Sequence, residues 1–351
     1  MHINFFVPGD IATLTGGYIY DRNVIEGLPQ EGICVNLHLL DKGFPFPSPS
    51  ALAHAADILR NIPEGETLVI DGLALGPLHE ILKFHARRLH LVALIHHPLS
   101  QETGLKRDVA RLLELQEREA LFYCQRVIVT SSTTRLSLIK AYNLVEANIR
   151  VVEPGVELVR QFPTPVGREF RLVCVASLVP RKGHKTLIEA LSLLSDRPWM
   201  LTCVGDLHRE PASAAEVLNC VRKVGLDQRI KFAGTLSQAM LLKHYRRAHL
   251  FVLASHHEGY GMALAEALSQ GLPIVSTTAG AIVCTVPKSA GLLVPPGNVF
   301  ALAAALARFF DEPRCRQRLI AGARGSRWKR RSWEAVAYSF ASELKQMIND
   351  G

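Results

Sequence analysis

The sequence of 351 residues lacks the features that mark several specialised classes of protein. No apolar run reaches the roughly 18 residues that a membrane-spanning helix needs. The N-terminal segment MHINFFVPGD has neither the basic start nor the small-residue cleavage site of a signal peptide, so it is interpreted as a first buried strand. These absences predict a cytoplasmic protein and leave a peripheral contact with a membrane open.

The seven cysteines include no C-x-x-C pair, and their odd number is incompatible with a complete disulfide framework. Several of them lie inside apolar runs, which is typical of small buried side chains in a reducing compartment. The chain also has no low-complexity segment and no short internal repeat. With 48% hydrophobic and 21% charged residues, its composition is that of an ordinary globular protein.

Three functional motifs are missing as well. No G-x-G-x-x-G follows a strand-like run, which disfavours a nicotinamide-dependent dehydrogenase. No cluster of acidic residues indicates a metal site, and we expect no metal and no cofactor. No basic stripe with interleaved aromatic residues is present, and aromatic residues make up only 7% of the chain, which disfavours a nucleic-acid partner.

The net charge of +8 is unevenly distributed along the chain. Residues 1–165 contain 15 basic and 18 acidic residues, for a net charge of −3, whereas residues 166–351 contain 25 and 14, for a net charge of +11. The basic second half predicts an acidic ligand such as a polyphosphate. A solvated basic surface is the structural alternative.

Short apolar runs alternate with helical patterns in both halves of the chain, which predicts βαβ units and parallel sheets covered on both faces. The segment QFPTPVGR at 161–168 interrupts the alternation and is interpreted as a linker. We therefore predict an α/β protein with two Rossmann-like doubly wound domains, at 1–160 and 166–330, that face one cleft. Strand-like runs lie at 2–7, 33–39, 67–70, 91–95, 126–129, 149–152, 170–176, 199–204, 229–233, 249–253 and 273–276. Helical patterns lie at 17–28, 50–61, 74–88, 104–123, 132–142, 184–194, 212–224, 237–247, 262–270, 298–310, 312–323 and 333–348.

The most informative segment is SHHEGYGMALAEALSQGLP at 255–273, which follows an apolar run. Gly259 and Gly261 form a loop before a predicted helix, and the N-terminus of such a helix suits an anion. Glu266 lies in that helix among small apolar residues, so its carboxylate should have a partner. Two alternatives are open: Glu258 caps the helix, and Glu266 is a partly exposed surface residue.

Seven residues separate Glu258 from Glu266, and further motifs follow in a fixed order along the chain. The combination resembles family four retaining glycosyltransferases of the GT-B fold. The sequence departs from that family at Ala279-Gly280, after which no acidic residue follows. The further motifs are Gly16-Gly17 at the first helix, Pro154-Gly155-Val156, Arg181-Lys182-Gly183, Val204-Gly205, and the closing segment GLLVPPG at 291–297.

The resemblance implies a role for each matching residue. Arg181 and Lys182 would neutralise the departing diphosphate, Glu258 would hold donor-sugar hydroxyls, and Glu266 would hold the ribose. His96 would contact the donor sugar in catalysis, and His97 is a candidate on the acceptor side. The other residues expected to bind the donor are Gly16, Gly17, Gly205, Gly259, Tyr260, Gly261 and Met262. His256 and His257 precede Glu258, and no ligand spacing links them to His96 and His97 as a metal site.

The resemblance further implies a metal-independent hexosyltransferase that retains configuration, with a UDP-sugar favoured as donor, GDP-mannose next, and an unknown acceptor. The N-terminal domain would bind the acceptor, and the helix at 331–351 would pack back on it. A nucleotide-sugar epimerase, a phosphorylase and a non-catalytic nucleotide-sugar sensor are alternatives on the same scaffold. The cluster of Arg324, Arg327, Lys329, Arg330 and Arg331, with Trp328 and Trp333, predicts at most weak, salt-sensitive membrane binding.

Overall fold

A computed structural model of the chain describes residues 1–158, 169–326 and 330–350. The chain forms two compact units, one of Met1–Gly155 with Arg331–Gly351 and the other of Val156–Arg330. The predicted linker at 161–168 lies outside the described residues, as do residues 327–329 of the basic cluster.

The first unit is built on a parallel sheet, and its described residues supply six strands in the order β2-β1-β3-β4-β5-β6. The strands consist largely of buried apolar residues because helices cover the sheet. The elements are β1 (His2–Pro8), α1 (Gly16–Gly27), β2 (Cys34–Leu40), α2 (Pro49–Asn61), β3 (Thr67–Asp71), α3 (Gly72–Leu75), α4 (His79–His85), β4 (His90–Ile95), α5 (Arg107–Phe122), β5 (Arg126–Val129), α6 (Ser132–Tyr142) and β6 (Ile149–Val151).

The second unit repeats the plan with a different strand order. Its parallel sheet, again of six described strands, has the order β12-β11-β10-β7-β8-β9. The elements are β7 (Phe170–Val175), α7 (His184–Ser192), β8 (Trp199–Val204), α8 (Pro211–Lys223), β9 (Ile230–Phe232), α9 (Gln238–Arg247), β10 (Leu250–Leu253), α10 (Met262–Ser269), β11 (Ile274–Thr277), α11 (Ile282–Thr285), β12 (Gly291–Val294), α12 (Val299–Asp311) and α13 (Pro313–Ser326).

The last helix, α14 (Trp333–Asp350), returns to the first unit and packs beside α1. The ring of Trp333 meets that of Tyr20 edge-on at 6.1 Å, and Glu343 pairs with Arg150 at 3.1 Å. A Cβ on Gly155 would lie 2.8 Å from the Trp333 ring, so the glycine permits this close packing. No described helix, α14 included, combines the length and the hydropathy needed to cross a membrane.

The parallel α/β architecture predicted from the sequence is confirmed, and every predicted strand is present. Two helix predictions were wrong in detail. The single helix predicted at 74–88 is broken by a 3-10 turn at Gly76–Leu78, because Pro77 has no N–H to donate. The helix predicted at 104–123 begins only at Arg107, because Gly104 has a φ of +90° and Lys106 has an extended backbone.

Candidate active site

The strand order of the second sheet brings a set of charged residues together at the carboxyl ends of two central strands. The order reverses between β7 and β10, and the carboxyl ends of parallel strands at such a reversal form the usual ligand crevice of an open α/β sheet. The loop after β7 carries Arg181 and Lys182, and the loop after β10 carries Ser255 and Glu258. Residues 76 positions apart in the chain therefore meet at this edge.

Glu258 is the centre of this group. Its side chain is buried, with the residue only 5% exposed. Lys182 Nζ donates to Glu258 Oε1 at 2.7 Å, and Ser255 Oγ donates to the same oxygen at 2.6 Å. Arg181 Nη1 lies 3.7 Å from Glu258 Oε2 and donates to the carbonyl of His257 at 2.9 Å. One carboxylate and two cations are thus held together at the strand ends.

The charges of this group decide the protonation of Glu258. Burial raises the pKa of its carboxyl, but the positive charges of Lys182 and Arg181 outweigh burial, so the net shift is downward. Glu258 is therefore ionised at neutral pH. Two cations against one anion leave a net positive charge, which suits the binding of an anionic group such as a diphosphate.

The backbone at this edge is packed too closely for side chains at two glycines. Gly183, with a φ of +66°, ends the loop that carries Arg181 and Lys182, and a Cβ there would lie 2.0 Å from the carbonyl oxygen of Ala254. Gly205 follows β8, and a Cβ there would lie 2.0 Å from the carbonyl oxygen of Ala176. Both glycines keep the loops after neighbouring strands in contact.

The helix that follows the Glu258 loop begins as the sequence predicts. Gly261 is the residue before α10, with a φ of +86° and no side-chain cap, and Met262 opens the helix. The carbonyl of the buried Tyr260 accepts a hydrogen bond from Thr285 Oγ1 at 2.6 Å, which fixes the Gly259–Gly261 loop. Since Glu258 is engaged by Lys182 and Ser255 instead, its interpretation as a helix cap was wrong.

Glu266 lies half-buried on α10 and has a defined partner. The hydroxyl of Tyr245, from α9, donates to Glu266 Oε2 at 2.9 Å. Burial raises the pKa of Glu266 to about 7, although the hydrogen bond from Tyr245 opposes the shift. This carboxylate is therefore close to half ionised at neutral pH, which is unlike a solvated surface glutamate.

The first unit gathers a second group at the C-terminal ends of its strands. His96 directly follows β4, and its Nε2 lies 3.0 Å from Asp21 Oδ1 on α1 and 3.3 Å from Asp71 Oδ2 at the end of β3. The strand order of this sheet reverses between β1 and β3, so this group also lies beside a reversal. A Cβ on Gly17 would lie 3.2 Å from the His96 ring, so a glycine here leaves room for the imidazole.

The remaining predicted residues of the first unit lie close by in the chain. Gly16 opens α1 directly before Gly17, as the sequence predicts. His97 Nε2 lies 3.2 Å from Glu102 Oε2 and contacts a different carboxylate from His96. The two adjacent histidines therefore have separate environments.

One further group in the second unit contains metal-ligating residue types. The ligand atoms of the buried Cys174, His184 and Cys203 all lie within 4.8 Å of one another. Three ligands are one fewer than a structural zinc site uses. A metal-bound histidine usually donates its second ring nitrogen, whereas His184 Nδ1 has no hydrogen-bond partner among the described residues. We therefore assign this group to the core rather than to a metal site.

Four residues that contact Glu258, Glu266 or His96 were not identified from the sequence. Ser255 and Asp71 each stand at the end of an apolar run, so strand-end polarity was an available signal for both. Tyr245 and Asp21 lie in helices and reach their partners across 21 and 75 positions of the chain, and periodicity carries no signal for such pairs.

Comparison with known proteins gives a family match for one segment of the chain and a fold for the whole of it. Residues 157–326 match the family described as glycosyl transferases group 1. The chain is 25% identical over 290 residues to the D-inositol 3-phosphate glycosyltransferase of Kineococcus radiotolerans, covering 75% of this chain and 66% of that protein. It is 28% identical over 323 residues to the MMP alpha-(1->4)-mannosyltransferase of Mycolicibacterium hassiacum, covering 87% and 76%. The chain thus spans just under two thirds of the first relative and about three quarters of the second.

Two solved structures share the fold over essentially the whole chain. Sucrose-phosphate synthase of Thermosynechococcus elongatus matches with a TM-score of 0.83 at 20% identity and covers 100% of both chains. Anabaena HepE, solved in complex with UDP and glucose, matches with a TM-score of 0.77 at 18% identity, covering 99% of this chain and 100% of that one. The chain thus has the GT-B fold of these structures, and residues 157–326 are similar to the group 1 glycosyltransferases.

Proposed function

We propose that this protein transfers a hexose from a nucleotide diphosphate sugar to an acceptor hydroxyl, without a metal ion and with retention of configuration at the anomeric carbon. The observation that carries the proposal is the group of Arg181, Lys182 and Glu258 at the strand reversal of the second sheet. Its net positive charge suits a diphosphate, and the half-buried Glu266 on α10 suits the hydroxyls of a ribose. The match of residues 157–326 to the group 1 glycosyltransferases supports the same proposal.

The charges of the group explain how a diphosphate departs without a metal. Negative charge grows on the diphosphate as its bond to the sugar breaks, and Arg181 and Lys182 stabilise that charge. The backbone N–H groups of the first turn of α10 add a partial positive charge. Before the donor binds, Glu258 neutralises one of the two positive charges. The bound diphosphate neutralises the remaining positive charge, and Glu258 accepts hydrogen bonds from the sugar hydroxyls.

Retention requires either a protein nucleophile or attack on the face from which the leaving group departs. Lys182 and Ser255 hold Glu258, so we assign that carboxylate to sugar binding rather than to nucleophilic attack. We propose front-face substitution. The bond between the anomeric carbon and the diphosphate oxygen breaks, and the bond to the acceptor oxygen forms on the same face. The acceptor proton passes to the departing phosphate, and the nucleoside diphosphate leaves.

The donor is proposed to be a UDP-hexose, and GDP-mannose is the second candidate. UDP is favoured because a protein of the same fold was solved with UDP and glucose. Mannose is the second choice because one relative is named a mannosyltransferase. We propose that the first unit binds the acceptor.

The whole chain, incubated with a panel of nucleotide sugars, tests this proposal. A donor should raise the melting temperature, since a ligand that binds only the native state stabilises it. That donor should then release nucleoside diphosphate only with an acceptor, for which D-inositol 3-phosphate and simple sugars form the first panel. NMR of the product should show the anomeric configuration of the donor, and activity should persist in EDTA. A new sugar nucleotide without acceptor would identify an epimerase, and binding without turnover would identify a sensor.

Replacing Lys182 by methionine is expected to lower kcat about ten- to a hundredfold, the range for losing one charged hydrogen bond. The donor KM should change less, because the negative charge on the diphosphate is greatest in the transition state. Lys185→Met is the matched control, since Lys185 is exposed and pairs with Glu216 on the surface. If the Lys182→Met enzyme kept its full kcat and had a raised KM, Lys182 would contribute only to binding of the donor in the ground state.

Glu266 predicts a pH dependence of donor affinity. Its pKa of about 7 means that lowering the pH from 8 to 6 protonates the carboxyl and removes an acceptor for the ribose hydroxyls. The affinity for UDP-glucose should therefore fall about tenfold over this range. Calorimetry can measure this, since the diphosphate of UDP-glucose does not itself titrate there. Glu266→Gln should bind more weakly at pH 8 and lose the pH dependence; a dependence that survives in this variant would contradict the assignment.

A further inference from the structure

The His96 group of the first unit has a geometry that the predicted sugar contact does not explain. Two carboxylates from different elements approach one ring nitrogen, with His96 Nε2 at 3.0 Å from Asp21 and 3.3 Å from Asp71. The Asp21 and Asp71 side chains are only 1% and 3% exposed, whereas 20% of the His96 side chain remains accessible. The imidazole is thus held by two buried carboxyl groups while a fifth of its side chain remains accessible.

Asp71 and the backbone of His96 are fixed by further contacts. Asp71 Oδ1 accepts the backbone N–H of Leu73 at 2.8 Å, and Thr130 Oγ1 donates to the carbonyl of His96 at 3.2 Å. The ring of Tyr20 packs edge-on against the imidazole, with centroids 5.4 Å apart. The His96 ring is therefore held in one orientation before any substrate binds, as a catalytic or binding group requires.

The arrangement fixes the protons of His96. When both carboxyl groups are ionised, the nitrogen between their oxygens carries a proton, because an unprotonated nitrogen would repel both oxygens. Two adjacent negative charges then favour a second proton on Nδ1. Burial alone would lower the pKa of His96, but its interactions with Asp21 and Asp71 outweigh burial and raise the pKa to about 10. Burial, opposed by the charge of His96, raises the pKa of Asp21 to about 7.

We propose that Asp21 and Asp71 are positioning residues that hold His96 as an imidazolium, so that its Nδ1–H is a fixed, charged hydrogen-bond donor to a substrate oxygen and not a general base. Within the described part of the chain, Nδ1 makes no hydrogen bond and is available for this role. The substrate oxygen is a hydroxyl or phosphate oxygen of the sugar substrates, and this identity rests on the proposed function.

The titratable and polar groups that face His96 come from α1, from the end of β3 and from the loop after β5. From α1 it meets Asp21 and the ring of Tyr20, whose hydroxyl donates to the carbonyl of Val152 at 3.0 Å. From the end of β3 it meets Asp71, and from the loop after β5 the neutral Thr130. An imidazolium held in this way cannot take the acceptor proton, which agrees with transfer of that proton to the departing phosphate.

Ring-nitrogen NMR of the whole chain, labelled with 15N-histidine, tests the protonation state directly. His96 is assigned by loss of its signals in His96→Gln. Both of its nitrogens should remain protonated from pH 6 to pH 8.5 in the wild type. Asp71→Asn, Asp21→Asn and the double variant should bring the titration of His96 progressively down into that range. Glu102→Gln, which changes the partner of His97, is the control and should leave His96 unchanged.

The pH profile of kcat/KM supplies the readout that a merely structural role would not move. Asp71→Asn should acquire a new descending limb at alkaline pH, as His96 loses its proton and with it the donor. A uniform loss of activity at all pH values would overturn the positioning role. A wild-type His96 that titrates near 6.5, or a titration unaffected by both Asn variants, would overturn the proposal. Because NMR needs no turnover, the expected titration in a protein that transfers no sugar would contradict only the proposed function.

Discussion

Replacing Glu258 by glutamine is expected to lower the free energy of unfolding of the second unit by about 3 kcal/mol, the low end of the cost of removing one partner from a buried ion pair. The low end applies because the Lys182 and Arg181 side chains are 19% and 17% exposed and keep some contact with water. The amide retains the shape of the carboxylate but removes the negative charge that faces two adjacent cations. Sugar transfer should fall with stability, since the donor hydroxyls lose their charged acceptor.

Hydrogen exchange in β10 is the appropriate measurement, because the chain has two compact units and a single unfolding free energy is not defined for it. Glu216→Gln is the matched control. Glu216 also pairs with a lysine, Lys185 at 3.1 Å, but both side chains are more than half exposed. That variant should leave the exchange of β10 unchanged, since exposed ion pairs add little to stability. Equal effects of the two variants would show that burial does not determine the contribution of Glu258.

The fold was predictable because burial marks the strands of a parallel sheet so clearly. The run at 91–95 is wholly apolar and wholly buried in β4, and similar runs mark the other central strands. The break at Gly76–Leu78 was also encoded, since proline cannot continue a helical hydrogen-bond ladder. The prediction missed it because the apolar spacing of 74–88 continues on both sides of the break.

The candidate site was predictable where it depends on strand ends and unpredictable where it depends on helix packing. Arg181, Lys182 and Glu258 each follow a strand, and parallel strands bring such residues to one edge. The direct contact of Lys182 with Glu258 depends on the paths of two loops, which spacing does not define. Asp21 comes from a helix face, and nothing local in the sequence connects it with His96, 75 positions away.

Replacing Gly183 by alanine is expected to destabilise the second unit by about 4 kcal/mol or more, which is exceptional for a single methyl group. The added Cβ would lie 2.0 Å from the carbonyl oxygen of Ala254, and that oxygen belongs to backbone just after the central strand β10. Relief of the clash must move the loop that carries Arg181 and Lys182 away from Glu258. Hydrogen exchange in β10 should therefore rise, and turnover should fall together with donor affinity.

Gly225→Ala separates this clash from the general cost of a left-handed backbone. Gly225 has a φ of +68°, almost the same as the +66° of Gly183, and it lies in the same unit. A Cβ on Gly225 would meet no heavy atom within 4 Å. Alanine there should therefore destabilise the unit only by the cost of the left-handed conformation, about 1–2 kcal/mol. The difference between the two variants measures the contact with Ala254. If both alanines destabilised the unit equally, the close approach of the two loops would not hold the cations beside Glu258.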